Sequence, residues 1–172
     1  MVGGFHYEAL FVGEVCYLMP SLGFSVLLAL LSRRWGFCEI LKFPGVLVHE
    51  MLHFTVGFVT MAHPISISSI PRLVNGRLVR GSVGFVGLNW LNAWLTALAP
   101  LLALPIMFVL ARWRLSGGAQ HFVLMDVCIW VLFAPHWLYC WPSRADWKLV
   151  LISWPLGVIL LSIFSVWAWC FA

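Results

Sequence analysis

Residues 43–62 read FPGVLVHEMLHFTVGFVTMA, an apolar run in which the only ionisable side chains are His49, Glu50 and His53. A helix that crosses a membrane needs about 20 predominantly apolar residues, and this run has that length. Two histidines and a glutamate are costly inside such a span unless they serve a function. The segment therefore predicts a membrane helix that also carries a functional site.

The composition of the whole chain points the same way. Of its 172 residues, 63% are hydrophobic and 9% are charged, whereas a soluble domain carries about 25% charged residues. This excludes a soluble globular enzyme, a disordered tail and a collagen-like fibre, and an outer-membrane barrel would have more alternating polar residues. We expect an all-α, multi-pass integral membrane protein of a cell (inner) membrane, with residues 1–172 forming a single transmembrane domain.

The apolar runs predict five spans, at about residues 10–31, 43–62, 90–110, 121–141 and 149–171. The basic residues between them divide evenly between the two sides, so the positive-inside rule leaves the orientation open. They form no dense basic cluster, and the eleven tryptophans suit interfacial belts. We therefore expect the lipid bilayer as the partner surface and no nucleic acid. The five scattered cysteines form no CxxC pair and are interpreted as apolar filler.

The stretch at residues 65–87 has the pattern of a short β-hairpin rather than a helix. Residues 65–68 alternate apolar and polar side chains, which is the period of a strand. Asn75-Gly76 lies between two Arg-Leu-Val triplets, and this dipeptide favours the type I′ turn of a hairpin. Because lipid cannot satisfy unpaired strand edges, the hairpin must lie at the interface or against the helices.

The segment His49-Glu50-Met51-Leu52-His53 is an HExxH motif. On a helix, residues four apart lie on one face, so both imidazoles can reach a single Zn²⁺ ion. Glu50 can then act as a general base, taking a proton from the attacking water and passing it to the leaving amine. The motif predicts His49 and His53 as metal ligands and Glu50 as the catalytic residue.

A catalytic zinc also needs a third protein ligand and an open position. The candidates in this chain are few because its polar residues are few. They are Asp146 in the segment at residues 142–147, Asp126 within the fourth predicted span, and one of the histidines His63, His121 and His136.

These motifs resemble the site-2 protease-like superfamily of intramembrane zinc metalloproteases, and in particular its small, poorly characterised branch of about five spans. The resemblance covers about residues 43–147 and rests on Phe43-Pro44-Gly45, the HExxH motif, Gly57 and Pro142-Ser143-xx-Asp146. It implies a zinc-dependent endopeptidase that hydrolyses peptide bonds of a membrane protein or peptide within or next to the membrane. It also implies that a distant aspartate, here Asp146, is the third ligand, and that the segment after the HExxH helix guides an extended substrate.

The chain departs from the better-known members at this aspartate. Those carry it near the start of a membrane helix, whereas Asp146 follows the apparent end of the fourth span. A full bilayer of about 30 Å would then separate Asp146 from the histidines. Either the fourth span is broken, as Pro135 would permit, or Asp126 is the alternative third ligand. We favour Asp146.

Two further residues are candidates for substrate binding or for orienting the ligands. Asn92 could donate a hydrogen bond to a substrate carbonyl, or simply cap a helix. His136 could orient Asp146 or be a polar residue at a helix break. The alternative to a protease is a catalytically silent zinc-site membrane protein that acts as a partner-binding or assembly subunit. An ion-relaying transporter or channel subunit is a further rival, and the intact HExxH motif favours hydrolysis over both.

Overall fold

The computed structural model describes residues 4–74, 77–116 and 123–171. Within those ranges the chain is mostly helical, and four short strands lie between the second and third helices. The helices are α1 (Gly4–Arg34), α2 (Phe43–Val59), α3 (Ala93–Leu98), α4 (Ala103–Ser116), α5 (Leu124–Tyr139), α6 (Arg144–Val150) and α7 (Trp154–Phe171). The strands are β1 (Pro64–Ser68), β2 (Arg72–Val74), β3 (Arg77–Val79) and β4 (Ser82–Phe85), and 3₁₀ turns cover Gly36–Lys42, Ala99–Leu102 and Leu151–Ser153.

Three helical segments among the described residues are long and apolar enough to cross a membrane: Gly13–Arg34, Ala93–Ser116 and Arg144–Trp169. They correspond to the first, third and fifth predicted spans. The second and fourth form α2 and α5, with 17 and 16 residues. At 1.5 Å per residue these are about 24–26 Å long, shorter than the hydrocarbon core of about 30 Å. The helical membrane class is thus supported, and the count of five spans is not confirmed.

The chain divides into two compact units. Unit 1 comprises Met1–His49 and Leu101–Trp141, and unit 2 comprises Glu50–Pro100 and Pro142–Ala172. Two of the three dividing points fall inside continuous helical segments, namely within α2 and within Ala93–Ser116.

The core of unit 1 is built from α1, α4 and α5. Its buried residues are Tyr17, Leu18, Met107, Ala111 and Phe133. Ala111 is fully buried, and its small side chain lets the helices approach closely, as small residues commonly do between membrane helices.

Gly45 allows a second close approach within unit 1, between the first turn of α2 and α5. A Cβ atom at this position would lie 2.4 Å from the carbonyl oxygen of Pro135. Glycine at position 45 is thus a packing requirement.

A buried polar network also joins the three helices of unit 1. Asp126 Oδ1 accepts hydrogen bonds from the Tyr17 hydroxyl at 2.8 Å and from Arg114 Nε at 2.8 Å. Its Oδ2 accepts from Arg114 Nη2 at 3.0 Å and from the backbone N–H of Val123 at 2.8 Å. Asp126 is 1% exposed, and these four bonds offset the cost of burying its charge.

The strands of unit 2 form the predicted hairpin in two nested, antiparallel ladders. In the outer ladder β1 pairs with β4, with Ile67 opposite Val83, and in the inner ladder β2 pairs with β3, with Leu73 opposite Leu78. The predicted turn at Asn75-Gly76 lies outside the described residues. The prediction of a short β-hairpin after the HExxH helix is confirmed.

Helix α2 ends before the predicted limit at residue 62 because a Schellman motif closes it. The backbone N–H of Ala62 donates to the carbonyl of Gly57 at 2.8 Å, and that of Met61 donates to Phe58 at 3.2 Å. Met61 has a φ of 57°, the left-handed conformation that this motif requires at its first residue beyond the cap. The chain then turns directly into β1.

Replacing Asp126 with alanine should lower the free energy of unfolding by about 3–5 kcal/mol, because Arg114 would keep a buried charge without its carboxylate. Tyr17→Phe removes one of the four bonds and should cost less. Thermal unfolding in detergent, followed by tryptophan fluorescence, measures both changes. A cost for Asp126→Ala within about 0.5 kcal/mol, as for a surface substitution, would contradict the structural role of this network.

Candidate metal centre

Helix α2 brings His49 and His53 to one face, one turn apart. Both side chains are buried, at 8% and 5% exposure. Helix α2 runs without interruption from Phe43 to Val59. The spacing of the two rings is therefore set by the helix itself.

Each imidazole is oriented by a backbone carbonyl. His49 Nδ1 lies 2.6 Å from the carbonyl oxygen of Tyr139, and His53 Nδ1 lies 2.7 Å from that of Thr96. A carbonyl oxygen can only accept, so Nδ1 carries the proton in both rings. In the neutral ring Nε2 then presents a lone pair, which is the arrangement of a metal-binding histidine.

The two carbonyls are those that helix geometry leaves available. Tyr139 is the last residue of α5, and the last four carbonyls of a helix have no partner within it. Thr96 precedes Pro100 by four residues, and proline has no N–H to donate to it. The carbonyl of Thr96 accepts instead from the N–H of Ala99 and from His53.

Asp146 is held in place by a capping box at the start of α6. The backbone N–H of Ser143 donates to Asp146 Oδ2 at 2.5 Å, and the N–H of Asp146 donates to Ser143 Oγ at 3.3 Å. The other carboxylate oxygen, Oδ1, lies 3.2 Å from His53 Nε2. The cap thus engages one oxygen and directs the other at the histidine.

His49, His53 and Asp146 form a buried group that could hold a metal ion. Their ligand atoms all lie within 4.8 Å of one another. Among the described residues, this is the one group of three or more His, Cys, Asp or Glu side chains whose ligand atoms lie that close together. Two ligands of one tetrahedral zinc at 2.0–2.1 Å are roughly 3.4 Å apart. The 3.2 Å between His53 and Asp146 matches that spacing, so the donor set fits a divalent metal.

Glu50 lies beside this group and is also buried, at 7% exposure. Its carboxyl packs against the backbone of Gly81, the residue before β4. A carboxylate that directly follows a metal-ligating histidine is suitably placed to exchange a proton with water at the metal.

The predicted break of the fourth span at Pro135 is wrong. Pro135 lies inside α5, which continues to Tyr139. Asp146 comes near His53 for a different reason: α5 stops after 16 residues, and the chain starts a new helix at Arg144. Asp146 is therefore in the first turn of the segment Arg144–Trp169 rather than at the end of a span.

The other predicted site residues lie elsewhere. Asp126 belongs to the Tyr17–Arg114 network of unit 1 and is not part of the metal-ligating group. His136 Nδ1 lies 2.9 Å from the carbonyl of Leu132 on its own helix. Neither Asp126 nor His136 orients Asp146 through these hydrogen bonds.

Asn92 acts as a clamp between the end of α2, the end of the hairpin and the start of α3. Its Nδ2 donates to the carbonyls of Thr60 at 3.2 Å and Gly87 at 3.0 Å, and its Oδ1 accepts from the N–H of Asn89 at 2.8 Å. Both amide hydrogens are thus used by the backbone. It occupies the N-cap position of α3 without a side-chain capping bond.

The sequence interpretation missed Thr96, Tyr139 and Ser143. Ser143 and Asp146 match the capping-box spacing, with aspartate in place of glutamate, and this signal was available. Pro100 has no N–H, so it indicated that the carbonyl of Thr96, four residues earlier, lacks its usual helical partner. The end of α5 at Tyr139 also had a signal, because Pro142 lies three residues later and proline is common just beyond the end of a helix.

None of the four cysteines whose side chains are described belongs to the candidate metal group. The four cysteines whose side chains are described, Cys16, Cys38, Cys128 and Cys140, are all free.

No protein-family model matches the chain, and neither a curated protein nor a solved structure matches it. Its function is therefore argued from the chemistry of the site.

Replacing Ser143 with alanine should weaken the binding of added Zn²⁺ by about 10-fold, the lower end of the range for residues that orient metal ligands. The change removes the capping bond to the Asp146 N–H and loosens the first turn of α6. Competition with a chromogenic chelator measures the affinity. Ser153→Ala is the matched control, because Ser153 also accepts a bond from a backbone N–H, that of Trp94. Equal affinities in the two variants would contradict a role for the cap.

Proposed function

We propose that this protein is a zinc-dependent intramembrane endopeptidase that hydrolyses peptide bonds within or next to the membrane. The observation that carries the proposal is the position of Asp146, whose Oδ1 lies 3.2 Å from His53 Nε2, beside the HExxH helix. The sequence favoured this aspartate and left Asp126 as the alternative. Together with His49 and His53, Asp146 would supply the three protein ligands that a catalytic zinc site needs.

His49, His53 and Asp146 would hold the zinc ion. Bound there, zinc would supply Lewis-acid activation of water and of the scissile carbonyl. Two neutral imidazoles and one carboxylate leave a net positive charge on a divalent ion, which favours this activation. The same set occurs in other hydrolytic zinc sites, with two histidines and one acidic residue.

Glu50 would move the proton. Its carboxylate accepts a proton from the water that attacks the scissile carbonyl carbon. As the carbon–nitrogen bond breaks, the protonated Glu50 donates that proton to the leaving amine nitrogen. Burial of Glu50 keeps bulk water away from this transfer.

The substrate is proposed to be a membrane protein or peptide in extended form. The carbonyls of a substrate helix are engaged in its own hydrogen bonds, so the helix must unwind locally before cleavage. The two-stranded β1–β4 ladder follows α2 directly, and an extended segment could add to its edge by strand pairing.

The proposed setting is a multi-pass arrangement in a cell (inner) membrane, with α2 and α5 as two further membrane helices beside the three long ones. A helix of about 24–26 Å can be accommodated by local thinning of the bilayer. Polar residues on α2 are then enclosed by protein rather than exposed to lipid, as their burial requires.

Detergent-purified protein should contain about one zinc ion per chain, and His49→Ala, His53→Ala or Asp146→Ala should each lose most of it. Each variant removes one of three ligands, and elemental analysis measures the content. His136→Ala is a control of the same residue type outside the group, and it should keep the metal. Unchanged zinc in both His49→Ala and His53→Ala would rule out the site.

Replacing Glu50 with glutamine should preserve zinc content and fold but lower the cleavage rate by about 10²–10⁴-fold, because glutamine cannot accept the proton. Single-span peptides in nanodiscs, analysed by mass spectrometry, provide the assay. Cleavage by Glu50→Gln at the wild-type rate would refute the role of Glu50. Wild-type protein that binds zinc stoichiometrically yet cleaves no peptide would instead indicate a partner-binding subunit.

A further inference from the structure

Gly81 makes an unusually close contact with Glu50. A Cβ atom built on Gly81 would lie 2.4 Å from Glu50 Oε1, 2.6 Å from its Cγ and 2.7 Å from its Cδ. Real Cβ atoms essentially never approach other atoms within 3.0 Å. Any residue other than glycine would therefore displace the carboxyl or the hairpin.

The hairpin is fixed at this position by one further contact to α2 and one to the residue that follows it. Phe85 of β4 packs against Gly57, where an added Cβ would lie 2.4 Å from the Phe85 ring. Gly57 follows Glu50 by two helical turns, so both contacts lie on the same face of α2. Beyond β4, Asn92 joins the carbonyls of Gly87 and Thr60. The second arm of the hairpin thus lies along α2 as an anchored element.

The backbone of α2 alone does not fix the carboxyl of Glu50. Three side-chain torsions separate the carboxyl from the helix backbone. Different rotamers of these torsions put the carboxyl at positions that lie several ångströms from one another. Proton transfer needs the acceptor within hydrogen-bond reach of the attacking water. A neighbouring surface that limits the rotamers is therefore part of a working site.

We infer that Gly81 is a positioning residue for Glu50: the hairpin presents backbone without a side chain, and the carboxyl rests against it. This inference deepens the proposed function and rests on it, because positioning Glu50 matters to the reaction only if Glu50 transfers the proton. The hairpin would then have two roles, because the arm that could pair with substrate also limits the position of the Glu50 carboxyl.

The first test is Gly81→Ala in the zinc-loaded, full-length protein. The zinc content should stay unchanged, since Gly81 contacts Glu50 and is not among the three ligands. The kcat should fall by about 10²-fold, the effect of a misplacement of about 1 Å, while KM changes little. The control is Gly157→Ala in α7, where an added Cβ meets nothing within 4 Å.

The second test does not depend on activity. Gly81→Ala should lower the thermal midpoint by several degrees when Glu50 is present and by much less in a Glu50→Ala background, because the clashing carboxyl is then absent. If Gly81→Ala fails to fold by itself, the double variant should restore folding. Equal losses in both backgrounds would overturn the inference, as would wild-type kcat in Gly81→Ala.

The outcomes separate the two proposals. An inactive wild-type protein whose double-mutant cycle still shows the coupling would refute the protease, and with it the catalytic purpose of the contact, while leaving the contact itself established. An active wild-type protein with no coupling between positions 50 and 81 would refute only the inference about Gly81.

Discussion

The buried imidazoles of α2 impose the constraint on which the site depends. In an apolar interior each ring N–H must find an acceptor, and α2 cannot supply one because its own carbonyls are engaged in helical bonds. The acceptors are backbone carbonyls that lack the usual N–H partner four residues later in their own helix. They belong to Tyr139 at the end of α5 and to Thr96, four residues before Pro100. Interruptions of helix geometry elsewhere in the chain thus orient the two candidate metal ligands and leave their Nε2 atoms available to a metal ion.

The same reasoning explains why two buried aspartates differ in role. Asp126 is satisfied by Arg114, Tyr17 and a backbone N–H, so its charge is balanced within unit 1. Asp146 has one oxygen on the backbone of Ser143 and the other beside His53. A carboxylate paired with a guanidinium is a structural element, whereas one facing a neutral imidazole suits a cation. The partners, rather than the residue type or its burial, distinguish the two.

The hairpin is part of the site because of two glycines and an asparagine. Gly57 and Gly81 remove the side chains that would hold β4 away from α2, and Asn92 ties the hairpin to the end of that helix. In the sequence these three residues look ordinary, because glycine is common in loops and asparagine is common at helix caps. Their roles emerge only from the close packing of a strand along a helix face.

The sequence by itself determined the helical membrane class, the hairpin around residues 65–87, and the placement of His49, Glu50 and His53 on one helix. Each of these follows from local periodicity: apolar length, alternation of side chains, and the four-residue spacing of a helix. The tertiary structure decided which aspartate faces His53, which carbonyls orient the imidazoles, and what the Glu50 carboxyl rests against. Those contacts join residues 31 to 93 positions apart in the chain. They depend on how closely distant parts of the backbone approach one another, which no local pattern encodes.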